Sequence, residues 1–318
     1  MRTAPLSTIL ALLAATSTAH AQAAECDAFS GNPGRVCSAA VDATRAFHPV
    51  LGGLVSGGNP ILGSGGALGG PGHLSAAARV NAVEVVLPDL AYDGTGGTVP
   101  AGQKIFAPAP QVEAAVGLYG GLPSGLLAID ALGSAQLLPT SVFDNFSVEQ
   151  GARRVGDVAL GLGFGARVGI LRETGPLPGI SVSVMRRDLP TITYGNVQNG
   201  DEFQYSVNLH ATNLRLVAGK QLAIVNVAGG LGWDKYTGHA LIQTRTGSLT
   251  QPGADVPIDL NTSRATVFLD AGLDLAVLHL VGEAGYQTGK DQKLTTNFED
   301  VDTAKGKFYA GLGLRVGL

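Results

Sequence analysis

The sequence is short of the charged and aromatic residues that soluble proteins carry. Charged residues make up 14% of its 318 residues, against about 25% in an average soluble protein, and aromatic residues make up 6%. Basic residues do not outnumber acidic ones (21 against 25), so the chain lacks the basic face that a nucleic-acid partner needs. After residue 21 it also lacks any run of about 18 apolar residues. We therefore expect no nucleic-acid partner and no membrane-spanning helix.

Cysteine is scarce as well, and its two copies, Cys26 and Cys37, lie close together. In an exported protein such a pair predicts a disulfide that closes a short loop. Glu25 stands where lipidation of Cys26 would require a small residue, so we expect no lipid anchor. A metal site would need further ligands, and His48 stands alone. The sequence therefore predicts a structural disulfide and no metal site.

The first residues are typical of an exported chain. Arg2 supplies a positive charge, residues 6–19 are apolar, and Ala-His-Ala at 19–21 fits a small-x-small cleavage site. We predict a signal peptide over residues 1–21 that is removed after Ala21. The mature chain would then begin at residue 22, outside the cytoplasm.

Glycine is abundant (46 residues), and the stretch VALGLGFGARVGI at 158–170 shows how the chain uses it. Gly161, Gly163 and Ala166 fit G-x-G-x-x-A, the fingerprint of a dinucleotide-binding loop. Such a loop would end its strand and start a helix. Here apolar residues continue at every second position through all 13 residues, which is the period of a strand. The stretch predicts a strand with one apolar and one small face, and no cofactor site.

The same alternation recurs at 203–209, 264–277 and 307–318. The alternating segments are about 10–14 residues long, against about 5–6 in soluble proteins, which suits a tilted crossing of a bilayer. Polar connections rich in glycine and proline separate them. We therefore predict an all-β fold over 73–318, an antiparallel transmembrane β-barrel of about 10–14 strands. The alternative is a secreted β-sandwich, which has shorter strands and a less apolar composition.

Residues 22–72 differ from the rest, because they are rich in glycine, alanine and proline and have no sustained period of two. Residues 38–47 could form a short helix within this partly helical N-terminal segment. Two arrangements stay open. The segment either plugs the barrel or forms a flexible leader that the disulfide ties into one hairpin.

The signal peptide, the glycine-rich alternating strands and the closing strand KFYAGLGLRVGL at 307–318 together resemble bacterial outer-membrane β-barrel proteins. The segment 22–72 is similar to that of plug-bearing barrels of the long-chain fatty-acid transporter type. The resemblance implies an outer-membrane location, contact with outer-membrane lipids, and recognition of 307–318 by the barrel-assembly machinery. Leu318 departs from that signal, which usually ends in Phe or Trp.

Function in a barrel is expected in its lumen, and we take the apolar face of each strand to contact lipid, since charge facing lipid is costly. The candidate lumen-lining residues are then Arg79, Asn81, Glu113, Arg167, Gln204, Asn208, Asp270, Asp274 and Glu283. They predict a passive channel or transporter for small solutes, hydrophobic ones included. The alternatives are a closed structural or interaction barrel and, third, a barrel enzyme.

The polar residues of these strands predict no catalytic site. Ser206, Asn208 and His210 share one strand face, but each step of two residues spans about 7 Å, too far for a hydrogen bond of about 3 Å. Asp270 and Asp274 are separated by about 13 Å on the same reasoning. We expect no enzyme and no cofactor. A barrel enzyme would instead place a Ser–His or Asp–His pair within hydrogen-bond reach on adjacent strands.

Overall fold

The computed structural model describes residues 22–88, 92–139, 146–148, 154–155, 158–194, 203–245 and 252–318. The expected signal peptide lies outside these residues. A short 3-10 helix, η1 (Ala24–Cys26), and an α-helix, α1 (Gly31–Ser56), come first. Within the described ranges, no helix is long and apolar enough to cross a membrane. The strands that follow are β1 (Leu74–Pro88), β2 (Ala101–Tyr119), β3 (Ile129–Pro139), β4 (Phe146–Val148), β5 (Arg154–Val155), β6 (Val158–Leu171), β7 (Gly179–Tyr194), β8 (Phe203–Leu222), β9 (Val225–Arg245), β10 (Pro252–Leu275), β11 (Leu278–Gln287) and β12 (Lys307–Gly317).

Ten of these strands form one closed antiparallel barrel. Around the ring the order is β1, β2, β3, β6, β7, β8, β9, β10, β11 and β12, and β12 pairs back with β1. The two short strands extend the ladders, β4 beside β7 and β5 beside β6. The predicted fold class is confirmed, with a strand number at the lower end of the expected range.

The two ends of the barrel differ in the length of their connections. At one end β8 joins β9 and β10 joins β11 through two-residue turns, in which Ala223 and Ala276 have positive φ (56° and 60°). At the other end the connections are longer, such as 288–306 between β11 and β12. We call these the turn end and the loop end. The first and last residues of the wall lie at the turn end, where the Leu74 N–H donates to the Leu318 carbonyl at 2.9 Å.

Strand β6 contains the stretch VALGLGFGARVGI and has the predicted orientation. Leu162 and Phe164 point outward and are 49% and 65% exposed. The glycines that alternate with these apolar residues face the lumen. A Cβ on Gly163, for example, would lie 2.4 Å from Ser134 Oγ of β3. Small inward residues thus let neighbouring wall side chains fold over this strand.

Strand β8 reveals that the two halves of the wall have opposite polarity. In the half near the turn end, Leu214 and Leu216 are exposed outside while Asn213 and Arg215 are buried inside. In the half near the loop end the pattern reverses, and apolar side chains such as Leu209 face inward. The inward positions are odd-numbered throughout, so the apolar residues change from odd to even positions partway along the strand.

The same reversal occurs in the neighbouring strands at paired positions. Leu214 pairs with Trp233 of β9, and Trp233 pairs with Ala265 of β10. Towards the turn end the outward residues of these strands are mostly apolar, and towards the loop end they are mostly polar, with Leu241 and Pro257 as exceptions. We call the exposed apolar side chains on the turn half the apolar belt; it includes Val184, Leu214, Leu231, Trp233, Leu269 and Leu312.

We call the outward polar side chains on the loop half of β7–β10 the polar outer face; it includes Asp188, Asn208, His210, Thr237, His239 and Asp259.

This reversal corrects part of the predicted lumen. Gln204 and Asn208 lie on the loop half of β8 and face outward, with Val207 and Leu209 facing inward in their place. Asn208 accepts a hydrogen bond from the His239 N–H of the adjacent strand at 2.8 Å. The error has a physical cause, because a strand with water outside and an apolar neighbour inside shows the same alternation as a lipid-facing strand.

The apolar neighbour inside the barrel is the N-terminal segment. Ten strands about 4.8 Å apart and tilted by about 40° enclose a cylinder roughly 20 Å across between backbones, which leaves room for one helix of about 10–12 Å. Helix α1 occupies that room and packs against β1, β8, β9 and β10. The predicted Cys26–Cys37 disulfide is confirmed, with 5.8 Å between the Cα atoms, at the loop end of this helix.

Candidate functional site

Residues 57–72 connect the end of α1 to the start of β1 inside the lumen. We call them the glycine-rich segment; their sequence, GGNPILGSGGALGGPG, contains no charged side chain. The polar groups that the segment offers to the charged side chains of the wall are its main chain and the side chains of Asn59 and Ser64. The buried groups that meet there form the candidate functional site.

Two wall carboxylates bind amide groups of the glycine-rich segment. Glu283 of β11 accepts hydrogen bonds from the Gly58 N–H at 2.9 Å and the Asn59 N–H at 2.7 Å, one on each carboxylate oxygen. Asp270 of β10 accepts from the Gly63 N–H at 2.9 Å and from the Asn59 side-chain amide at 2.6 Å. Hydrogen bonds to a charged acceptor are stronger than neutral ones, so these contacts hold the segment firmly.

Two wall arginines bind the carbonyl groups of the same residues. Arg215 of β8 donates to the Gly58 carbonyl at 2.9 Å and to the Gly57 carbonyl at 2.8 Å. Arg79 of β1 donates to the Asn59 carbonyl at 3.1 Å. The main chain at 57–59 is thus held on its donor side by carboxylates and on its acceptor side by guanidinium groups.

The same side chains are linked to one another around the wall. Glu113 of β2 pairs with Arg79 at 3.0 Å and with Arg187 of β7 at 3.3 Å. Arg215 pairs with Asp234 of β9 at 2.6 Å. These charges are buried, and buried charges persist when they are paired and hydrogen-bonded.

A separate pair holds the segment nearer the turn end. Arg167 of β6 donates through Nε to Asp130 of β3 at 2.8 Å. Asp130 also accepts from the Leu68 N–H, at 3.2 Å and 3.1 Å to its two oxygens. Ser181 of β7 donates to the Gly65 carbonyl at 2.6 Å. The glycine-rich segment is therefore bound along its length.

Close packing fills the space that remains in this part of the lumen. A Cβ on Gly52 would lie 2.5 Å from the ring of Tyr236, and a Cβ on Gly58 would lie 2.6 Å from the ring of Phe268. A Cβ on Gly65 would lie 2.0 Å from the backbone nitrogen of Gly219 in the wall. At these positions the lumen has no room for a methyl group.

The structure brings together most of the residues that the sequence proposed for the lumen. Six of them are buried around the N-terminal segment, namely Arg79, Asn81, Glu113, Arg167, Asp270 and Glu283. Asp274 lies nearer the turn end, where Asn226 donates to it at 2.6 Å and His279 contacts it. Gln204 and Asn208 are not part of the set. The surroundings differ from those expected, because a polypeptide segment occupies the place of an aqueous pathway.

Sequence reasoning missed four charged members of the site: Asp130, Arg187, Arg215 and Asp234. Arg215 and Asp234 stand just past the point where the apolar residues change position in β8 and β9. That change of phase is the signal that could have found them. Tyr236 lies two residues beyond Asp234 on the same inward face of β9 and is fully buried.

Three Asp–His pairs join adjacent strands, as a barrel enzyme would require, and the third is the contact of Asp274 of β10 with His279 of β11 described above. Asp188 of β7 lies 2.6 Å from His210 Nδ1 of β8, and Asp259 of β10 lies 2.8 Å from His239 Nδ1 of β9. These two pairs belong to the polar outer face, which is convex and open to solvent, whereas Asp274 and His279 face the lumen near the turn end and are largely buried. Among the described residues, no group of three or more His, Cys, Asp or Glu is placed to hold a metal ion.

His48 is a buried ionisable group on α1. Burial lowers its pKa from 6.5 to about 4, because the charged imidazolium would lose its hydration. The nearby His210 lowers the pKa further, while a hydrogen bond with the Asn208 backbone raises it. At neutral pH the helix is therefore packed against the wall with a neutral histidine.

Comparison with known proteins gives a likeness of fold. No family model matches the chain, and no curated protein matches it by sequence. Among solved structures it is similar to the outer-membrane protease OmpT from Escherichia coli (11% identity, 78% of this chain and 97% of that chain, TM-score 0.41). It is also similar to the translocator domain of the autotransporter NalP from Neisseria meningitidis (15% identity, 88% of this chain and 96% of that chain, TM-score 0.37). A third similar structure is the attachment invasion locus protein Ail of Yersinia pestis (10% identity, 78% of this chain and 99% of that chain, TM-score 0.29). These are bacterial outer-membrane β-barrels with different activities.

Proposed function

We propose that this protein is an outer-membrane β-barrel closed by its own N-terminal segment, with a structural or interaction role at the cell surface and no passive transport. The observation that carries the proposal is the binding of the Gly58 and Asn59 N–H groups by Glu283 at 2.9 Å and 2.7 Å. A channel would present such a carboxylate to a passing solute. Here both of its oxygens are occupied by the protein's own main chain.

The apolar belt supports the outer-membrane location. On β10 its outward side chains run from Ala265 to Leu275, ten residues apart. At a rise of about 3.3 Å per residue and a tilt of about 40°, that stretch spans about 25 Å, the height of the apolar band in outer-membrane barrels. Outer-membrane lipids are thus the proposed partners of the belt, and the barrel-assembly machinery is the proposed partner of 307–318.

The polar outer face supports a role beyond the bilayer. It continues the wall of β7–β10 past the belt, and its Asp188–His210 and His239–Asp259 pairs give it hydrogen-bonding groups that face water. An enzymatic role is not proposed, because a catalytic base acts at a concave site that excludes water and binds substrate.

Conductance of the chain from residue 22, refolded and reconstituted in planar bilayers, tests the closed lumen. We expect silent bilayers, with folding shown by altered migration of the unheated protein on a denaturing gel. The double variant Asp270→Ala/Glu283→Ala releases the glycine-rich segment and should produce conductance steps. Asp188→Ala, on the polar outer face, is the matched control and should stay silent. Steps from the unaltered protein as frequent as those from the double variant would sink the proposal.

A further inference from the structure

The N-terminal segment runs through the barrel from the loop end to the turn end. Near its start, Asp42 of α1 accepts hydrogen bonds from the Thr295 and Thr296 N–H groups of the β11–β12 connection, at 2.7 Å and 2.8 Å. Near its end, Gly70 contacts Gly117 and Gly120 at the turn end of β2. Residue 22 therefore lies at the end of the barrel opposite to the first residue of the wall.

The start of this segment is wider than the helix that follows it. We call residues 22–37 the head. The Cys26–Cys37 disulfide holds η1 beside the first turns of α1, and the Ala23 N–H donates to Ser38 Oγ at 3.1 Å. The head and the start of α1 pack against the inward apolar residues of β8–β10 near the loop end. Two chain segments thus lie side by side where the lumen further down holds one.

The head cannot pass through the closed barrel. Further towards the turn end, a single added methyl at Gly52, Gly58 or Gly65 would overlap a wall residue. A disulfide-bonded loop is far wider than a methyl group. Passing it through the lumen would require the wall to open or the disulfide to be reduced.

The seam of the barrel is the pairing of β12 with β1, which joins the two ends of the wall along the chain. The other neighbouring strands are consecutive, apart from β3 and β6, which have only β4 and β5 between them. Contacts between strands close in sequence form more readily, because their loops cost less entropy to close. The seam between β12 and β1 is thus expected to form last.

The glycine-rich segment connects the strands on the two sides of the seam. Asn59 donates its N–H to Glu283 of β11 and receives a hydrogen bond on its carbonyl from Arg79 of β1. Strand β12, which lies between β11 and β1, has the glycines Gly311 and Gly313 on its inward face. The segment therefore forms part of the contact that holds the seam together.

We propose that the barrel closes around its N-terminal segment, with the disulfide-bonded head and α1 in place before β12 pairs with β1. The segment then acts as a template for the seam, through Asn59. In the reverse order, the wall would close first and the reduced N-terminus would have to thread through the lumen afterwards. The proposal concerns assembly and does not depend on the role of the finished protein.

One refolding time course can measure both events. The chain from residue 22 is unfolded in urea with its disulfide intact and diluted into detergent micelles. Seam closure is read from the altered gel migration of unheated samples. Seating of α1 is read from protection of the Arg45–Ala46 bond against trypsin, scored by mass spectrometry. We expect protection to develop no later than the migration change, and to reach the same final fraction in the Cys26→Ser/Cys37→Ser variant.

Two results would overturn the proposal. In one, the disulfide-bonded chain gives closed barrels that trypsin still cuts at Arg45–Ala46, while the double serine variant gives protected ones. In the other, the disulfide-bonded chain fails to complete the barrel although the double serine variant completes it. Either result would show that the head enters after closure. Equal protection in both chains, at or before the migration change, supports closure around the segment.

Discussion

Arg215 of β8 and Asp234 of β9 form an ion pair inside the barrel, with 2.6 Å between Nη1 and Oδ1 and both side chains buried. The pair is more than a link between two strands. Arg215 also donates to the Gly57 and Gly58 carbonyls, so one guanidinium ties the wall to the segment that fills it.

Arg215→Ala should therefore destabilise the protein by about 3–5 kcal/mol, because it leaves Asp234 as an uncompensated buried charge. The measurement is the free energy of unfolding in urea, followed by the change in gel migration. Arg186→Ala is the control, since Arg186 pairs with Asp188 at 3.0 Å on the outside. An exposed pair contributes about 1 kcal/mol at most. Equal losses in the two variants would contradict the buried position of Arg215.

Close packing of the glycine-rich segment predicts that alanine substitutions at two adjacent glycines have different effects on how the segment seats in the lumen. A Cβ on Gly65 would lie 2.0 Å from the Gly219 backbone nitrogen, whereas a Cβ on Gly66 would meet nothing closer than 3.5 Å. Gly65→Ala should prevent full seating of the segment and expose Arg45–Ala46 to trypsin. Gly66→Ala should remain as protected as the unaltered protein. Protection in both variants would show that the segment does not pass the wall at this point.

Acid should destabilise the seated helix through His48. Its pKa is lowered to about 4 in the folded protein, so below its ordinary value of 6.5 the unfolded chain binds more protons than the folded one. The part of the unfolding free energy that depends on neutral His48 is fully present above pH 6.5. It is lost as the pH drops towards 4, by about 3 kcal/mol in all. Unfolding in urea across this range measures it. His48→Gln should flatten this part of the profile, and the exposed variant His239→Gln should leave it unchanged.

The boundary of the apolar belt can be tested on one face of one strand. Leu269 of β10 is 68% exposed within the belt, and Asn261 lies on the same outward face beyond it. In a membrane, Leu269→Arg should cost about 2–4 kcal/mol, because it places a charge in hydrocarbon. Asn261→Arg should cost less than about 1 kcal/mol. Unfolding in lipid vesicles compares the two variants, and equal costs would mean that the belt is wrongly placed.

The fold was largely accessible from the sequence, because alternation over 10 or more residues is a local property. The 158–170 stretch shows this, since its apolar residues and glycines face the predicted sides. The orientation of 203–209 was not accessible in the same way. Its alternation is as regular, but the apolar partner of Val207 and Leu209 is a helix more than 150 residues earlier in the chain.

The site was accessible only in part, for a related reason. The inward positions of Arg79, Glu113 and Glu283 follow from strand parity. Their partner does not, because Glu283 binds N–H groups 224 and 225 residues away, and main-chain groups carry no sequence signal. Charged residues in a barrel lumen are therefore equally compatible with a water-filled path and with a bound segment.

The point at which the apolar residues change position in β8–β10 also sets the length of wall that extends past the apolar belt. From Ala265 to Asp255 the wall of β10 continues for ten residues past the belt, or about 25 Å along the barrel axis at a tilt of about 40°. A ligand could therefore approach the polar outer face sideways, above the headgroups and clear of the sealed mouth. In the proposed interaction role, recognition at that flank would leave the interior undisturbed, so binding a partner and keeping the lumen closed need not compete.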